Sequence, residues 1–367
     1  MKAQRTPGES ISSGGLTDLG VGFLLGSALL LMPGGGAKQD TWAAILMGAA
    51  EGAVVSLVYC GLAARFKATF PQICKRVYGK HLGTAAALSY IFFLFYLGSL
   101  VMGNVLDFTA VTLLPRTPTP VVAGVLVVVA SCIAGHGLGA MARFARILVP
   151  IILASIGATL LLLIPDYRVS RLMPVLATPL PKLAYSAHIA ASFPFNEAVA
   201  FMMVLPFVKG GRGSTAMLPS IAISGIAIAA GAARNTAVLG NLCSKMVYPS
   251  YSATRLIDIA DFLTRLESLV AVNFLGTALV KIVVLLWGTA VGLQETFGLG
   301  SYRGVVVPLG IIMAALAAVN FENVAQNIYF ADRSWPVFAP LFQIVLPGVT
   351  FLMALVRGVP RAGGRDK

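Results

Sequence analysis

Residues 20–36 of the chain read GVGFLLGSALLLMPGGG, an apolar run that glycine and proline interrupt several times. A stretch of about 20 apolar residues is long enough to cross a bilayer as a helix. Glycine weakens a helix interior by about 1 kcal/mol per residue, and proline weakens it by about 3 kcal/mol. The run therefore predicts a membrane-spanning helix that is weakened around Gly26 and again at Pro33.

The composition of the whole chain favours a lipid environment. Of its 367 residues, 57% are hydrophobic and 11% are charged, and the mean hydropathy is +0.86. Soluble domains carry about 25% charged residues, so this chain cannot cover its surface in water. The formal net charge is +13, but the basic residues are scattered between apolar runs. We therefore expect an integral membrane protein whose basic loops face an anionic leaflet, with no nucleic acid partner.

Ten segments are long and apolar enough to be membrane helices. They are 16–36, 41–64, 84–112, 119–136, 144–164, 184–208, 215–234, 267–292, 304–328 and 335–356. Lysine and arginine are more frequent in the connections on the side of the N-terminus, which is typical of cytoplasmic loops. Both termini are therefore expected in the cytoplasm, as a polar tail at 1–15 and a basic tail at 357–367.

The ten spans divide into two sets of five, 16–164 and 184–356, which an outer loop at 165–183 connects. An odd number of crossings inverts the second set, as in the inverted repeats of many secondary transporters. The sequence thus predicts an all-α integral membrane fold with about ten transmembrane helices in a 5+5 inverted repeat.

Such a repeat predicts that helices 1 and 6 are both interrupted near the middle of the bilayer. The sixth span carries Pro194, which removes a backbone hydrogen bond within the span. Interrupted helices leave backbone groups that a ligand can satisfy. The other interpretation is that Gly22 and Gly26 serve close helix packing, and that prolines are simply common in membrane helices.

Short motifs along nearly the whole chain resemble one family. Residues 26–34, GSALLLMPG, are similar to the G-S/T-G-I-x-x-L-P segment of amino acid–polyamine–organocation (APC) transporters, and FPFNE at 193–197 is similar to a P-F-G-E motif. Further matching pieces are Asp40-Thr41-Trp42, Phe70-Pro71-Gln72-Ile73, Tyr78-Gly79-Lys80, Thr117-Pro118, Gly139-Ala140-Met141-Ala142-Arg143 and Leu172-Met173-Pro174. In this order, they resemble the GerAB family, the permease-like B subunits of spore germinant receptors.

This resemblance implies a LeuT/APC-like scaffold that senses a nutrient, an amino acid or similar small molecule, in the inner spore membrane or cell membrane. It also implies A-type and C-type partner subunits. The residues it assigns to ligand binding are Gly26, Ser27, Ala28, Phe193, Pro194, Asn196 and Glu197. Ala28 stands where the wider superfamily usually has glycine, and Asn196 stands at the glycine of P-F-G-E, so both side chains change the space for a ligand.

Charged residues inside membrane spans are costly and mark functional sites. Glu51, Glu197 and Lys281 are expected near the middle of the second, sixth and eighth spans, and Asp107 and Glu322 nearer the outer ends of the third and ninth spans. Lys281 is expected to neutralise Glu51 or Glu197, and the sequence leaves both partners open. Such a pair either takes part in the mechanism or only fixes helix packing.

Two further features have both a functional and a structural interpretation. Asn320, Asn323 and Asn327 recur at helical spacing beside Glu322, which predicts a polar stripe on the ninth span. The stripe either lines a path for water or joins neighbouring helices by hydrogen bonds. Tyr96, in the third span, is either a gate of a central pocket or an aromatic side chain of the core.

The sequence contains no pattern typical of an enzyme, such as a P-loop, a nucleophile elbow or an H-E-x-x-H run. Its four cysteines form no CxxC pair, so neither a metal nor a cofactor is expected. We expect a nutrient-sensing receptor subunit, and the alternative is an amino-acid permease or symporter of the same fold. Proton-coupled relatives often carry a lysine in the fifth span, which here has only Arg146 at its inner end. Sodium-coupled relatives use pairs of hydroxyls in the eighth span, which here offers Thr277, Thr289 and, at its entrance, Ser268. A site for a coupling ion is therefore not evident.

Overall fold

The computed structural model describes residues 10–210, 215–256 and 267–359. Within these ranges the regular structure is helical, apart from one parallel β-bridge between Ile11 and Val208. We call the side of the bundle that holds this bridge the N-terminal face. The opposite side, which holds the long connection 167–179, is called the loop face.

The first five spans and their connections contain seven α-helices. They are α1 (Ser13–Leu25), α2 (Ala28–Leu31), α3 (Thr41–Phe66), α4 (Phe70–Tyr78), α5 (Lys80–Phe108), α6 (Thr119–Gly135) and α7 (Leu138–Leu162). A 3₁₀ segment, Gly35–Asp40, leads into α3, and a π-helical turn, Thr109–Leu113, extends α5. The short helix α4 connects the second and third spans on the N-terminal face.

The remaining spans begin after the connection on the loop face. They contain α8 (Leu180–Ser192), α9 (Leu218–Leu239), α10 (Pro249–Thr254), α11 (Glu267–Phe297), α12 (Arg303–Val319), α13 (Val324–Tyr329), α14 (Trp335–Phe338) and α15 (Leu346–Val356). Two 3₁₀ segments, Phe195–Met203 and Leu205–Phe207, continue the sixth span after α8. Two π-helical segments, Phe330–Ser334 and Leu341–Val345, lie between the helices of the last span.

The prediction of ten crossings is confirmed within the described ranges. Six helices there are long and apolar enough to cross a membrane, and three shorter apolar helices, α1, α6 and α12, accompany them. The interrupted sixth span supplies the tenth crossing. Large apolar side chains on the outside of the bundle are exposed, among them Val128 (68%), Ile147 (70%) and Leu352 (61%). Since no polar layer covers these side chains, the helices face lipid, and the protein is a multi-pass membrane protein.

Close helix contacts in the second and sixth spans depend on two glycines of α3. A Cβ atom at Gly48 would lie 2.7 Å from the carbonyl oxygen of Ala187, and one at Gly52 would lie 2.5 Å from the Cβ atom of Phe195. Both distances are shorter than side chains tolerate. The glycines therefore let α3 approach α8 and the 3₁₀ segment that follows it, as small residues do in membrane bundles.

The connection on the loop face is anchored to the start of α3. The buried carboxylate of Asp40 accepts hydrogen bonds from the backbone N–H groups of Leu176 (2.7 Å) and Thr178 (2.8 Å). The hydroxyl of Thr178 donates to the carbonyl oxygen of Ala37 (2.9 Å). These bonds satisfy backbone groups that would otherwise be buried without partners.

The expectation of a polar stripe on the ninth span is wrong, because α12 ends at Val319. Residues 320–323 form a turn, and the last span begins at Val324. The side-chain oxygen of Asn323 accepts a hydrogen bond from the backbone N–H of Gln326 (3.0 Å) and so caps the new helix. Asparagine side chains compete with helical backbone in this way. Glu322 is exposed in the turn, and Asn327 belongs to the next helix.

Candidate ligand site at the two broken helices

The first span breaks at Gly26, where α1 ends. Gly26 adopts φ 21° and ψ −131°, so the chain leaves the helical conformation at this residue, and α2 begins two residues later. A Cβ atom at this position would lie 2.8 Å from Cδ of Lys281 and 2.9 Å from the carbonyl oxygen of Phe23. The carbonyl oxygen of Gly26 accepts a hydrogen bond from the hydroxyl of Thr277 (3.3 Å). The break is thus stabilised by side chains of α11 and has room for glycine alone.

The sixth span breaks at Phe193 and Pro194, where α8 ends. The carbonyl oxygen of Ser192 accepts hydrogen bonds from the side-chain nitrogens of Gln343 (2.9 Å) and Trp335 (3.2 Å). Both donors lie in the last span. The freed backbone group is therefore satisfied within the protein, as it must be in a bilayer. The predicted interruptions of helices 1 and 6 are both present.

Lys281 and Glu197 form an ion pair between the eighth and sixth spans. Both side chains are fully buried. The Lys281 ammonium also lies 5.2 Å from the ring centre of Phe23 and 5.1 Å from that of Phe193, within the range of cation–π contacts. The pair therefore connects α11 with the first and sixth spans beside both breaks. Of the two partners that the sequence left open for Lys281, the structure selects Glu197.

Glu51 belongs to a separate polar cluster on α3. Its Oε1 atom accepts a hydrogen bond from the side-chain amide of Asn196 (3.2 Å) and lies 3.4 Å from Nδ1 of His188. The carbonyl oxygen of Asn196 accepts a hydrogen bond from the hydroxyl of Tyr59 (3.3 Å). Asn196 thus replaces the glycine of the motif with a side chain that joins the second break to α3. His188 was not among the residues predicted from the sequence.

A chain of polar side chains connects the first break with the third and last spans. The amide of Asn104 donates to the hydroxyl of Ser27 (3.1 Å), and the amide of Asn327 donates to Oδ1 of Asn104 (2.8 Å) and to Oδ2 of Asp107 (3.1 Å). Sequence reasoning missed Asn104. Its spacing of three residues from Asp107 places both on one face of α5, and this spacing was the available signal.

Two predicted polar residues lie outside this chain. The amide of Asn320 donates to the hydroxyl of Ser99 on α5 (3.1 Å) and so fixes the end of α12. Glu322 borders a groove of about 740 Å³ between α5, α6 and α12 on the loop face. Neither residue contacts Lys281 or the breaks. The polar residues expected within the membrane, Glu51, Lys281, Asn320 and Glu322, therefore lie in separate places.

Tyr96 lies in an aromatic cluster between α5 and the last span. Its ring stacks on Phe92, with 6.0 Å between the ring centres, and meets the edges of Phe330 (6.5 Å) and Phe338 (6.0 Å). Phe330 and Trp335 line the cavity next to the breaks, and Tyr96 is absent from its lining. The role of Tyr96 as a gate stays a prediction.

Two adjacent cavities reach the second break. The inner cavity, which we call the chamber, has a volume of about 30 Å³ and contacts Glu197. Its lining comprises Leu31, Leu97, Leu100, Val101, Asn104, Phe193, Glu197, Asn327, Phe330, Ala331 and Trp335. The outer cavity, which we call the vestibule, has about 270 Å³ and continues past Pro33 and Asp332. Four residues line both cavities, namely Leu31, Phe193, Asn327 and Ala331.

The opposite end of the two broken spans is joined by backbone hydrogen bonds. The N–H of Ile11 donates to the carbonyl oxygen of Phe207 (3.1 Å), and the N–H of Lys209 donates to the carbonyl oxygen of Ile11 (2.8 Å). The Ile11 side chain is 4% exposed. The first and sixth spans are therefore held together on the N-terminal face, whereas the vestibule lies toward the loop face.

The fold is shared with secondary transporters of known structure. One is MHP1, a nucleobase-cation-symport-1 family transporter solved in a closed conformation with bromovinylhydantoin bound, with a TM-score of 0.73 and 14% identity over 97% of this chain and 82% of that protein. Another is MhsT in complex with L-phenylalanine, with a TM-score of 0.67 and 15% identity over 96% of this chain and 91% of that protein. These similarities confirm the LeuT/APC-like fold.

Sequence comparison identifies the family. The chain is 26% identical to spore germination protein KB of Bacillus subtilis (strain 168) over 340 residues, which cover 91% of each protein. It is also 26% identical to the putative spore germination protein YfkT of the same organism, over 65% of this chain and 66% of that protein. The family model described as spore germination protein matches residues 10–324. The chain therefore belongs to the spore germination protein family, whose members are permease-like proteins.

Proposed function

We propose that this protein is the nutrient-sensing B subunit of a spore germinant receptor, built on a transporter scaffold. An amino acid or similar small molecule enters from the vestibule and binds against the two broken helices. A-type and C-type subunits then respond to the change in the bundle. In this proposal the protein resides in the inner spore membrane with both termini in the cytoplasm, so the loop face is the outer face.

The observation that supports this proposal best is the position of the Lys281–Glu197 pair. It contacts both broken spans, and Glu197 also lines the chamber. A molecule that reaches the chamber therefore meets a group that holds the first, sixth and eighth spans together. A ligand shifts a conformational equilibrium only if it binds the two conformations unequally. A ligand in contact with this ion pair, which holds the three spans together, therefore binds the two conformations with different affinities.

The size of the cavities determines how a ligand binds. A chamber of about 30 Å³ holds about one water molecule. The vestibule, at about 270 Å³, is close to the lower end of small-molecule sites, about 300 Å³. A nutrient therefore starts in the vestibule and displaces Phe193 or Leu31 to reach the chamber. This displacement is the proposed first step of sensing.

The groups that meet the ligand follow from the lining of the two cavities. Phe193 offers an aromatic face in both cavities, and Asn327 offers an amide in both. Asn104 and Glu197 add polar groups at the inner end. The other residues proposed for binding, Gly26, Ser27, Ala28, Pro194 and Asn196, form the backbone and packing around these groups.

The alternative function is an amino-acid symporter, which the transporter fold favours. A symporter needs a site for its coupling ion. The hydroxyl of Thr277 donates to the carbonyl oxygen of Gly26, and that of Thr289 donates to the carbonyl oxygen of Leu285 (2.7 Å). A fixed lysine ammonium already neutralises Glu197. These contacts favour a receptor, in which no ion has to cross.

Germination assays with a Phe193→Ala variant test the proposal. Removing the ring opens the passage between the vestibule and the chamber, so the nutrient concentration for half-maximal germination should fall at least tenfold. The control is Phe297→Ala, since that ring is 62% exposed at the far end of α11. Immunoblots must show equal protein levels. An unchanged dose response in Phe193→Ala spores would contradict the assignment of the site.

Uptake measurements separate the two functions. Purified protein in liposomes is given a radiolabelled amino acid that triggers germination, with and without sodium and proton gradients. A receptor should bind the amino acid without accumulating it. Sustained accumulation that depends on a gradient would identify a symporter instead.

A further inference from the structure

Arg234 is a buried cation that has no anionic partner among the residues that the structure describes. The predicted seventh span ends at residue 234, whereas α9 continues to Leu239. The Arg234 side chain therefore lies within the bundle and is only 5% exposed. Among the described residues, no carboxylate forms an ion pair with Arg234. A buried, uncompensated charge is strongly unfavourable, and buried charges are normally paired. The burial of Arg234 therefore requires an anion from outside these residues.

The hydrogen bonds of the guanidinium leave part of it unused. Nε and Nη2 donate to Oδ1 of Asn235, at 3.1 Å and 2.8 Å, and Nη1 donates to the hydroxyl of Thr159 at 2.7 Å. A guanidinium has five N–H groups, so one on each terminal nitrogen has no acceptor in the described part of the chain. Both acceptors that are present are neutral, so they orient the guanidinium without balancing its charge.

A small cavity lies against this cation. Its volume is about 30 Å³, and its polar lining consists of Arg234, Asn235, Thr159, Ser250 and Asn273. The side-chain amide of Asn235 donates to the hydroxyl oxygen of Ser250 (3.0 Å). The Ser250 hydroxyl therefore keeps its own proton for another acceptor. The cavity contains the donors that a small anion needs, namely N–H groups of arginine and a hydroxyl.

The cavity is separate from the proposed nutrient site. It borders α2 through Ala28 and Leu29 and the residue after it, Met32, and its other walls belong to α7, α9, α10 and α11. The vestibule shares Met32 with it and also borders α10, but the chamber and vestibule otherwise border the last and sixth spans. The cavity therefore differs from the proposed nutrient site in its walls from α7, α9 and α11.

We propose that this cavity binds one halide-sized monovalent anion, chloride under physiological conditions, on Arg234. The volume admits a particle about as large as a water molecule, and it excludes an amino acid or an organic acid. Water would satisfy the free N–H groups, but only an anion also balances the charge. The bound anion joins α9 and α7 to the residues after the first break, so it stabilises the position of α2.

Direct binding to the unmodified protein is the first test. The purified full chain in detergent is equilibrated with radiolabelled chloride in sodium gluconate, which keeps the ionic strength constant. Saturable binding of about one chloride per chain is expected, with displacement by bromide and not by additional gluconate. Failure to detect saturable chloride binding up to 0.5 M salt would overturn the proposal.

Thermal unfolding of variants is the second test. At chloride tenfold above its Kd, the wild type should melt about 2 °C higher than in gluconate. Arg234→Met should remove this difference, and in gluconate it should melt at or above the wild type, because it no longer buries an unpaired charge. The control is Arg116→Met, at an exposed arginine, which should respond to chloride like the wild type.

Two outcomes of this comparison would contradict an anion site on Arg234. One is an equal melting temperature of the wild type in chloride and gluconate. The other is an Arg234→Met variant that keeps the full chloride effect. If this variant does not fold, Thr159→Val serves in its place. It removes one of the two acceptors that orient the guanidinium and a polar group of the cavity, so it should weaken chloride binding at least threefold; unchanged binding would contradict the site.

Discussion

Breaking the Lys281–Glu197 pair should destabilise the protein strongly, and removing both charges should restore most of the stability. Both side chains are fully buried, and the ammonium has Glu197 as its anionic partner. Loss of one partner from a buried pair costs about 3–5 kcal/mol. With an unfolding entropy of about 2.1 cal/mol/K per residue over 367 residues, Glu197→Gln should lower the melting temperature by about 4–6 °C.

The double variant Glu197→Gln/Lys281→Met separates the charge effect from the packing effect. It buries no unpaired charge, so its melting temperature should return to within about 2 °C of the wild type. Differential scanning fluorimetry of the purified protein in detergent compares the wild type, Glu197→Gln, Lys281→Met and the double variant. The control is Glu267→Gln, because this carboxylate is only half-buried and forms no ion pair in the described part of the chain.

Two results would refute this reasoning. One is a single variant as stable as the wild type, and the other is a double variant that loses the sum of both single effects. Spores that carry the double variant then test the function of the pair. They should germinate poorly at normal protein levels if the pair transmits nutrient binding. Normal germination would show that the pair serves packing alone.

Three further predictions concern the break, the loop and the cysteines. Gly26→Ala should lower stability by about 1–3 kcal/mol in a thermal melt, since a Cβ atom there meets backbone and lysine atoms within 3 Å. The control is Gly157→Ala, where nothing lies within 4 Å of the added Cβ atom; it should raise stability by up to about 1 kcal/mol. Asp40→Asn should weaken two backbone hydrogen bonds by about 1–2 kcal/mol in total and make the connection 167–179 more sensitive to proteases. Burial raises the pKa of the Cys74 thiol to about 12, so at pH 8 a maleimide should leave Cys74 unmodified in the folded protein and modify it after denaturation; labelling of Cys74 in the folded protein would contradict the packing of α4.

The membrane crossings and both breaks could be predicted from the sequence because they depend on local chemistry. A bilayer requires long apolar runs, and the glycine and proline content around Gly26 and Pro194 weakens helices wherever they occur. The family resemblance could be recognised from the sequence for the same reason, because its motifs are short and contiguous. The residues of the two breaks could therefore be identified without knowledge of the tertiary structure.

The pairing of the polar residues could not be predicted, because it depends on how helices rotate against one another. Glu51 and Glu197 are both carboxylates in the middle of a span, and only the packing of α3 directs Glu51 toward Asn196 and His188. The turn after Val319 could not be predicted from hydropathy, because the asparagines beyond it recur at helical spacing, as they would if the helix continued. The predicted seventh span ended at Arg234, because a charged residue is normally taken as the end of a span.

The β-bridge at Ile11 has a mechanical consequence. Since Ile11 lies two residues before α1 and its partners, Phe207 and Lys209, lie at the end of the sixth span, the two broken spans cannot separate on this face without losing two backbone hydrogen bonds. That loss amounts to about 1–3 kcal/mol, which is within the coupling energies that effectors commonly supply. A force that pulls on the chain before Ile11 would thus act on the first and sixth spans at once, at the N-terminal face of the bundle.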